Sequence, residues 1–480
     1  MINKLPNKYK ALSKGVKATL WYTFANLMQK AINVLVVPLY TRLLSTSEYG
    51  IYSVFVSWME LFEIVVTFRM FYGAYVVGLV KFDNDKDVYT STLEKLSCII
   101  ITTFLLLYLI FKQYVNQMTE LTTSLTLLMF GMMYAVPIVG FWRSRQRVEN
   151  NYIQMVVVTL LISIFTPLFG LGGIMLFGRH SAYVIYSRVG IEFAIALILL
   201  ILYKKWFFAK INIKYIKYAL AINVPLIPFY LSAVALNHSD RIIIQKLTDF
   251  SKAGIYSVAY SASMIMTLFN SAFNNAMQPW IFKEIKNKRY NRIPSVVNMY
   301  TIIIAVLNIL LIAFAPEAIH IMAPKNYHSA IWIVPPLAGS VYIMAIYHHF
   351  TNIEFFFNES KIAAFVSIGS ALLNIGLNFL LIPVFGYMVA GYTTLFSYLL
   401  FLGTHYFCAK YVCKKNNCPF NIFDMKSIVF VSIVFFILSA LLAIGYLVPV
   451  LRYIFIVSLI LICLWKKDYF FELIGILKEK

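Results

Sequence analysis

Charge is scarce in this chain. Only 13% of its 480 residues are Asp, Glu, Lys or Arg, where a soluble domain carries about a quarter. That excludes an ordinary soluble protein. Disorder is excluded too, because it requires low hydrophobicity and 61% of the residues here are hydrophobic. Acid is scarcest: 20 Asp and Glu stand against 41 Lys and Arg, a net charge of +21. Cysteine is sparse, with five in all. Cys98 and Cys463 fall in apolar stretches, and the spacing of Cys408, Cys413 and Cys418 fits no zinc knuckle. We read these three as reduced thiols and expect no metal and no cofactor. No Gly-rich loop ends in Gly-Lys-Ser/Thr, so the chain carries no P-loop ATPase. No loop exceeds about 20 residues, which leaves no room for a soluble catalytic domain. The N-terminus has no cleavable signal pattern.

What is present is apolar length. A membrane-crossing helix needs roughly 20 apolar residues, and fourteen stretches qualify: 17–40, 51–79, 92–112, 121–142, 152–177, 182–203, 216–237, 255–280, 294–315, 329–350, 362–383, 388–409, 428–447 and 450–465. The last holds only thirteen residues between Arg452 and Lys466, and must borrow residues or snorkel to span. The run 362–409 has no charged residue and is broken by Pro383-Val-Phe-Gly386. The stretches are continuously apolar rather than alternating, which excludes a β-barrel. With the N-terminus in the cytoplasm, 29 basic residues fall on the cytoplasmic side and 8 outside. This matches the positive-inside rule and places both termini in the cytoplasm. The excess charge therefore reports topology, not nucleic acid.

The chain repeats itself. Arg42-Leu-Leu-Ser-Thr-Ser-Glu-Tyr-Gly-Ile-Tyr-Ser-Val54 and Lys246-Leu-Thr-Asp-Phe-Ser-Lys-Ala-Gly-Ile-Tyr-Ser-Val258 share seven of thirteen positions at an offset of 204. Pro167-Leu-Phe-Gly170 resembles Pro383-Val-Phe-Gly386. Six helices separate the copies, so both run in the same direction, as a parallel repeat about the membrane normal. The expected architecture is all-α. Two six-helix lobes, 1–203 and 204–412, are followed by 413–480, which holds two extra helices and a cytoplasmic tail. Repeats of this kind hold substrate near the midplane and work by alternating access.

Pro38-Leu-Tyr-Thr-Arg-Leu-Leu-Ser-Thr-Ser-Glu-Tyr-Gly-Ile-Tyr52 resembles the first-helix exit of the Wzx-type polysaccharide repeat-unit flippases, of the MATE-like MOP transporter superfamily. So does Asp240-Arg241 followed by Gly254-Ile-Tyr256. Asn374-Ile-Gly-Leu-Asn378-Phe-Leu-Leu-Ile-Pro383-Val-Phe-Gly386, with Gly391 and Thr394, is similar to that family's eleventh and twelfth helices. The resemblance implies a non-enzymatic flippase in the bacterial cytoplasmic (inner) membrane. It would translocate an undecaprenyl-diphosphate-linked oligosaccharide repeat unit from the inner to the outer leaflet, for O-antigen or capsule biosynthesis. It also implies membrane lipid, H+ or Na+ as coupling ion, and contact with polysaccharide polymerase and chain-length machinery. An ion-coupled multidrug or other precursor exporter of the same superfamily is the alternative. A membrane polymerase or glycosyltransferase is a distant third, because the longest outer connection offers only Asp240 and Asp249.

Polar residues within the apolar stretches are the candidate sites, since each is costly unless it faces a cavity or a partner. Asn26, Gln29, Lys30 and Asn33 share one helical face. They form either a cavity wall, with Lys30 contacting diphosphate or sugar acids, or an amide packing seam. Glu60 and Glu63 share a face, with Arg69 expected near the middle of the second stretch. The carboxylates are candidates for ion coupling or for neutralisation by Lys30, and Arg69 for an anion contact. Arg188 and Glu192, at i and i+4, suggest a pair within one helix. Asn237, Asp240 and Arg241 lie near an outer end. The amides Asn270, Asn274, Gln278, Asn374 and Asn378 suit either sugar hydroxyls or helix packing. We take Asn26, Gln29, Lys30, Asn33, Arg69, Arg188, Asn237, Asn274, Asn374 and Asn378 as the candidate substrate pathway. Glu60, Glu63, Glu192 and Asp240 are the candidate coupling groups. His348 and His349 are expected at the cytoplasmic interface.

Overall fold

The computed structural model describes residues 13–465. The basic stretches counted at residues 1–12 and 466–480, and the Cys463 side chain, lie outside the described residues. Seventeen α-helices and no strand occur among the described residues. They are α1 (Lys14–Leu43), α2 (Thr46–Thr67), α3 (Ala74–Lys81), α4 (Lys86–Thr119), α5 (Thr123–Val148), α6 (Tyr152–Phe177), α7 (Ser181–Leu202), α8 (Lys204–Phe207) and α9 (Ile213–Leu247). They continue with α10 (Phe250–Lys286), α11 (Ile293–Ala313), α12 (Ala315–Met322), α13 (Val334–Phe356), α14 (Ser360–Phe385), α15 (Val389–Lys415), α16 (Met425–Ile444) and α17 (Pro449–Trp465). Each of the fourteen apolar stretches overlaps a long helix, and 51–79 is divided between α2 and the short α3.

The helices begin where capping chemistry places them. The Ser13 hydroxyl accepts the Val16 N–H at 3.3 Å, and that of Ser45 accepts the Glu48 N–H at 3.2 Å. Nine helices among the described residues are long and apolar enough to cross a membrane, or ten counting residues 325–332 and α13, bent by 50°, as one span. The long helices that miss this threshold have local reasons. Asn26, Gln29, Lys30 and Asn33 lower the hydropathy of α1, and α10 carries Asn270, Asn274, Asn275 and Gln278. α17 has only 17 residues. It is fastened at its start by Arg452, whose guanidinium donates to the Glu317 carboxylate of α12.

Contacts divide the chain into two compact units, Met1–Gly254 and Ile255–Lys480. The repeat symmetry suggested limits at 203/204 and 412/413. Contacts instead group α9 with the first unit, where it packs against α2, α3 and α4. Two buried clusters hold this unit together. Tyr75, Tyr89, Phe141 and Trp142 centre one, and Phe55, Met59, Met129 and Met133 the other. Small residues let the helices approach closely: a Cβ on Gly78 would lie 2.3 Å from the Tyr89 ring. In the second unit α13 packs on α15, and α11 packs on α13 and α16. Tyr342 stacks on Phe435 at 4.1 Å between centroids.

The two copies of the repeated motif touch at their glycines. A Cβ on Gly50 would sit 1.8 Å from the Phe250 carbonyl oxygen, and one on Gly254 would sit 2.3 Å from that of Thr46. The Ser251 hydroxyl donates to Thr46 Oγ1 at 2.7 Å beside the crossing.

The copies then diverge. The helix of the second copy, α10, runs unbroken for 37 residues. The stretch 51–79 of the first copy is not one helix, as the sequence suggested. It breaks after Thr67, where Phe68 and Arg69 have φ of 50° and 45° and Gly73 has φ of 44°. Gly73 tolerates this backbone, and its counterpart 204 residues on is Met277.

Candidate functional site

Three features of the first unit carry polar chemistry. The first is the face of α1. Asn26, Lys30 and Asn33 are exposed and Gln29 is half-buried. They occupy one arc of the helix, opposite the exposed Leu20, Phe24, Leu27 and Leu35. Between these arcs α1 buries Ala18 and Ala25, and it packs against α6. A lysine and two asparagines facing hydrocarbon would be expensive. The geometry separates an apolar face suited to lipid from a polar face suited to water or a hydrophilic solute.

The second feature is a group of charges on α2, α5 and α7. Arg188 lies 3.7 Å from Glu60, and Arg69 lies 3.5 Å from Glu63. Arg188 therefore reaches across to α2 rather than along its own helix to Glu192, and neither glutamate has an ion pair with Lys30. Glu192 joins the group electrostatically, within range of Glu63, Arg188 and Arg143. α5 runs past the end of the stretch 121–142 to Val148 and carries Arg143 half-buried among these helices. Three arginines thus face three glutamates. The arginines come with counter-charges, and Lys30 on α1 has no ion pair among the described residues.

The third feature is the break in the second stretch. α2 is 22 residues long, about 33 Å at about 1.5 Å per residue, a full membrane thickness. Arg69 thus sits just past one end of a complete span, not at its middle. Asn223 of α9, fully buried, clamps the break. Its Nδ2 donates to the carbonyls of Arg69 at 3.1 Å and Phe68 at 3.4 Å, and its Oδ1 accepts the Ala74 N–H at 3.0 Å. The Arg69 guanidinium lies 5.4 Å over the Tyr230 ring. Sequence reasoning passed over Asn223. Its signal was an amide inside an apolar stretch, two residues before Pro225.

The remaining candidates are spent mainly on helix packing. Asn237 Nδ2 donates to the Ala233 carbonyl at 2.8 Å, and Arg241 Nη1 donates to the Asn237 carbonyl at 2.7 Å. Asp240 is fully buried. In the second unit Gln278 Nε2 donates to Asn352 Oδ1 at 2.9 Å, and Asn352 Nδ2 donates to Asn274 Oδ1 at 3.1 Å, joining α10 to α13. Asn374 and Asn378 are sealed between α14 and α15. Asn374 Nδ2 donates to Thr394 Oγ1 at 3.3 Å, and Thr393 Oγ1 donates to Asn378 Oδ1 at 2.5 Å. His349, expected at an interface, is buried inside α13, and His348 is half-buried beside it. Sequence reasoning also missed Glu354 and His405, a fully buried pair on α13 and α15. Among the described residues no group of three or more His, Cys, Asp or Glu could hold a metal ion.

Comparison with known proteins agrees with this architecture. The family model described as "Polysaccharide biosynthesis protein" matches residues 16–285. An uncharacterized membrane protein of Methanocaldococcus jannaschii is 25% identical over 423 residues, 81% of this chain and 82% of that one. Among solved structures, the lipid II flippase MurJ in an inward closed conformation superposes with a TM-score of 0.69 at 13% identity. That match covers 94% of this chain and 100% of the other. An inward-facing multidrug resistance MATE family transporter of the MOP superfamily gives a TM-score of 0.62 at 11% identity, over 80% of this chain and 96% of that one. At these identities the likeness is one of fold: a multi-pass helical membrane protein of MurJ/MATE type.

Proposed function

Because this chain belongs to the polysaccharide biosynthesis protein family, we propose that it is a flippase for undecaprenyl-diphosphate-linked oligosaccharide repeat units. It carries them from the inner to the outer leaflet of a bacterial cytoplasmic membrane, with both its termini in the cytoplasm, to supply O-antigen or capsule assembly. The observation that most supports this reading is the divided surface of α1. An exposed arc of Asn26, Lys30 and Asn33 lies opposite an exposed apolar arc.

The substrate has the same division, a hydrophilic head bearing diphosphate on a long hydrocarbon tail. Lys30 supplies a cation to the diphosphate, and the amides of Asn26, Gln29 and Asn33 replace water around sugar hydroxyls. Arg69, held at one end of α2, is the second anion contact. The protein makes and breaks no covalent bond in this scheme. It replaces hydration at one face and releases its cargo by alternating access. Glu60, Glu63, Glu192 and Asp240 are the groups through which an H+ or Na+ gradient would act.

Lys30→Ala and Arg69→Ala test the reading. Each should reduce complementation of a flippase-null strain and raise its pool of lipid-linked intermediate, with normal amounts of protein in the membrane. Full complementation by both variants at low expression would sink the cationic-contact idea. A second reading, an ion-coupled exporter of organic cations, is favoured by the balance of three glutamates against three arginines. Efflux of cationic dyes by reconstituted protein, without transfer of lipid-linked oligosaccharide, would select it. Indifference of transfer to imposed pH and sodium gradients would remove the coupling role of the carboxylates.

A further inference from the structure

We propose that Glu354 and His405 form a proton-binding site inside the second unit, its ligand a single proton exchanged at His405 Nε2. The site stands on its own geometry and does not require the flippase reading. Glu354 on α13 and His405 on α15 both have 0% side-chain exposure. His405 Nδ1 lies 2.9 Å and 3.1 Å from the two carboxylate oxygens. With Glu354 ionised, that nitrogen carries hydrogen and donates it to the carboxylate. His405 Nε2, also buried, has no partner. A buried polar atom left unpaired in a native core calls for an explanation, and proton exchange at that atom supplies one. Phe401 stands edge-on to the imidazole at 4.5 Å between centroids, and Tyr347 stacks on it at 5.7 Å. The pair sits in an aromatic wall.

Charge accounting gives the site its direction. With neutral imidazole the pair bears one buried negative charge, which is costly in a low dielectric. No lysine or arginine compensates it, for His405 is the only ion-pair partner of Glu354 among the described residues. On α13 the neighbouring titratable groups are Tyr347, His348 and His349; α15 adds Cys408, within electrostatic range of Glu354. Tyr300 of α11 packs on His349. Glu284 of α10 is taken up by Arg289 at 3.4 Å. α14 has no ionisable side chain beyond residue 363, and Lys410 of α15 and Lys426 of α16 are exposed. A proton arriving from water adds to Nε2, and the imidazolium–carboxylate pair then has no net charge. Release from the same atom restores the negative charge. His348 Nδ1 and His349 Nε2 on α13 are buried and unpartnered as well.

The test is nitrogen NMR of the full chain, labelled with [15N]histidine and reconstituted in bilayers, from about pH 5 to about pH 9. Of the seven histidines, one should keep Nδ1 protonated throughout while Nε2 gains its proton on acidification. This signal should be absent in His405→Gln. In Glu354→Gln its midpoint should fall by about one pH unit or more, because the carboxylate no longer stabilises the imidazolium. A His405 Nε2 in a single state over the whole range would overturn the proposal. So would a midpoint that Glu354→Gln leaves unmoved. If the variants fail to fold, wild-type protein carrying carboxyl-labelled glutamate still decides the matter: two histidines should show dipolar contact with a glutamate carboxyl carbon, the exposed His180 beside Glu48 at 3.6 Å and the buried His405, and His180→Gln removes the first.

Discussion

Replacing Asn223 should loosen one specific place, the start of α3. The side chain is fully buried, accepts the Ala74 N–H at 3.0 Å and donates to the Arg69 carbonyl at 3.1 Å. Each well-formed hydrogen bond contributes about 1 kcal/mol net, and a buried N–H left without an acceptor costs about 1–3 kcal/mol. Asn223→Ala should therefore destabilise the break by about 2–4 kcal/mol. Asn223→Leu keeps most of the volume, so the part of this loss it retains is owed to hydrogen bonds and not to a cavity. The assay is hydrogen exchange of residues 70–75 in bilayers, beside thermal unfolding in one detergent. About 2 kcal/mol corresponds to roughly thirtyfold faster exchange, and the change should be confined to this segment in the milder variant. Unaltered exchange at Ala74 together with an unaltered unfolding temperature would refute the clamp.

Other substitutions test the remaining contacts. Gly50→Ala forces a methyl to within 1.8 Å of the Phe250 carbonyl oxygen and should cost about 1–3 kcal/mol of overpacking. Gly172→Ala, in α6 with nothing nearby, should be neutral or stabilising; equal unfolding temperatures for the two would contradict the close crossing. A double-mutant cycle on Glu60 and Arg188 should give about 0.5–2 kcal/mol of coupling, and stronger coupling of Arg188 to Glu192 would show the pairing to be misassigned. Asn378→Ala removes one acceptor of the buried Thr393 hydroxyl, which keeps the Ala390 carbonyl at 2.9 Å, and should lose about 1 kcal/mol. Thr393→Val should lose a similar amount, and because the two share one bond, fully additive losses in the double variant would count against it.

Helix positions were legible because the bilayer makes them so. A span needs an apolar length that sequence displays directly, and 152–177 coincides with α6 residue for residue. The break after Thr67 was hidden by its apolar surroundings, Phe68 to Tyr72, and only Gly73 hinted at it. Pairing across helices was the least legible part. The i, i+4 spacing of Arg188 and Glu192 is a local rule, and a tertiary contact with Glu60 overrode it. Glu354 was lost because the tenth stretch was closed at residue 350, although nothing that breaks a helix intervenes before α13 ends at Phe356. Asn374 and Asn378 show the converse limit. An amide in a span has the same letter whether it faces a sugar or seals a helix pair, and only the positions of Thr393 and Thr394 separate the two.

The glycine crossing carries a consequence of its own. At the offset of 204 residues, Thr46 corresponds to Phe250 and Gly50 to Gly254. Each glycine therefore lies under the carbonyl of the residue equivalent to its own partner's. Such reciprocity defines the isologous contact of a two-fold dimer, here enclosed within a single polypeptide. The two glycines are thereby bound to one another's size: any side chain admitted in one copy meets the backbone of the other.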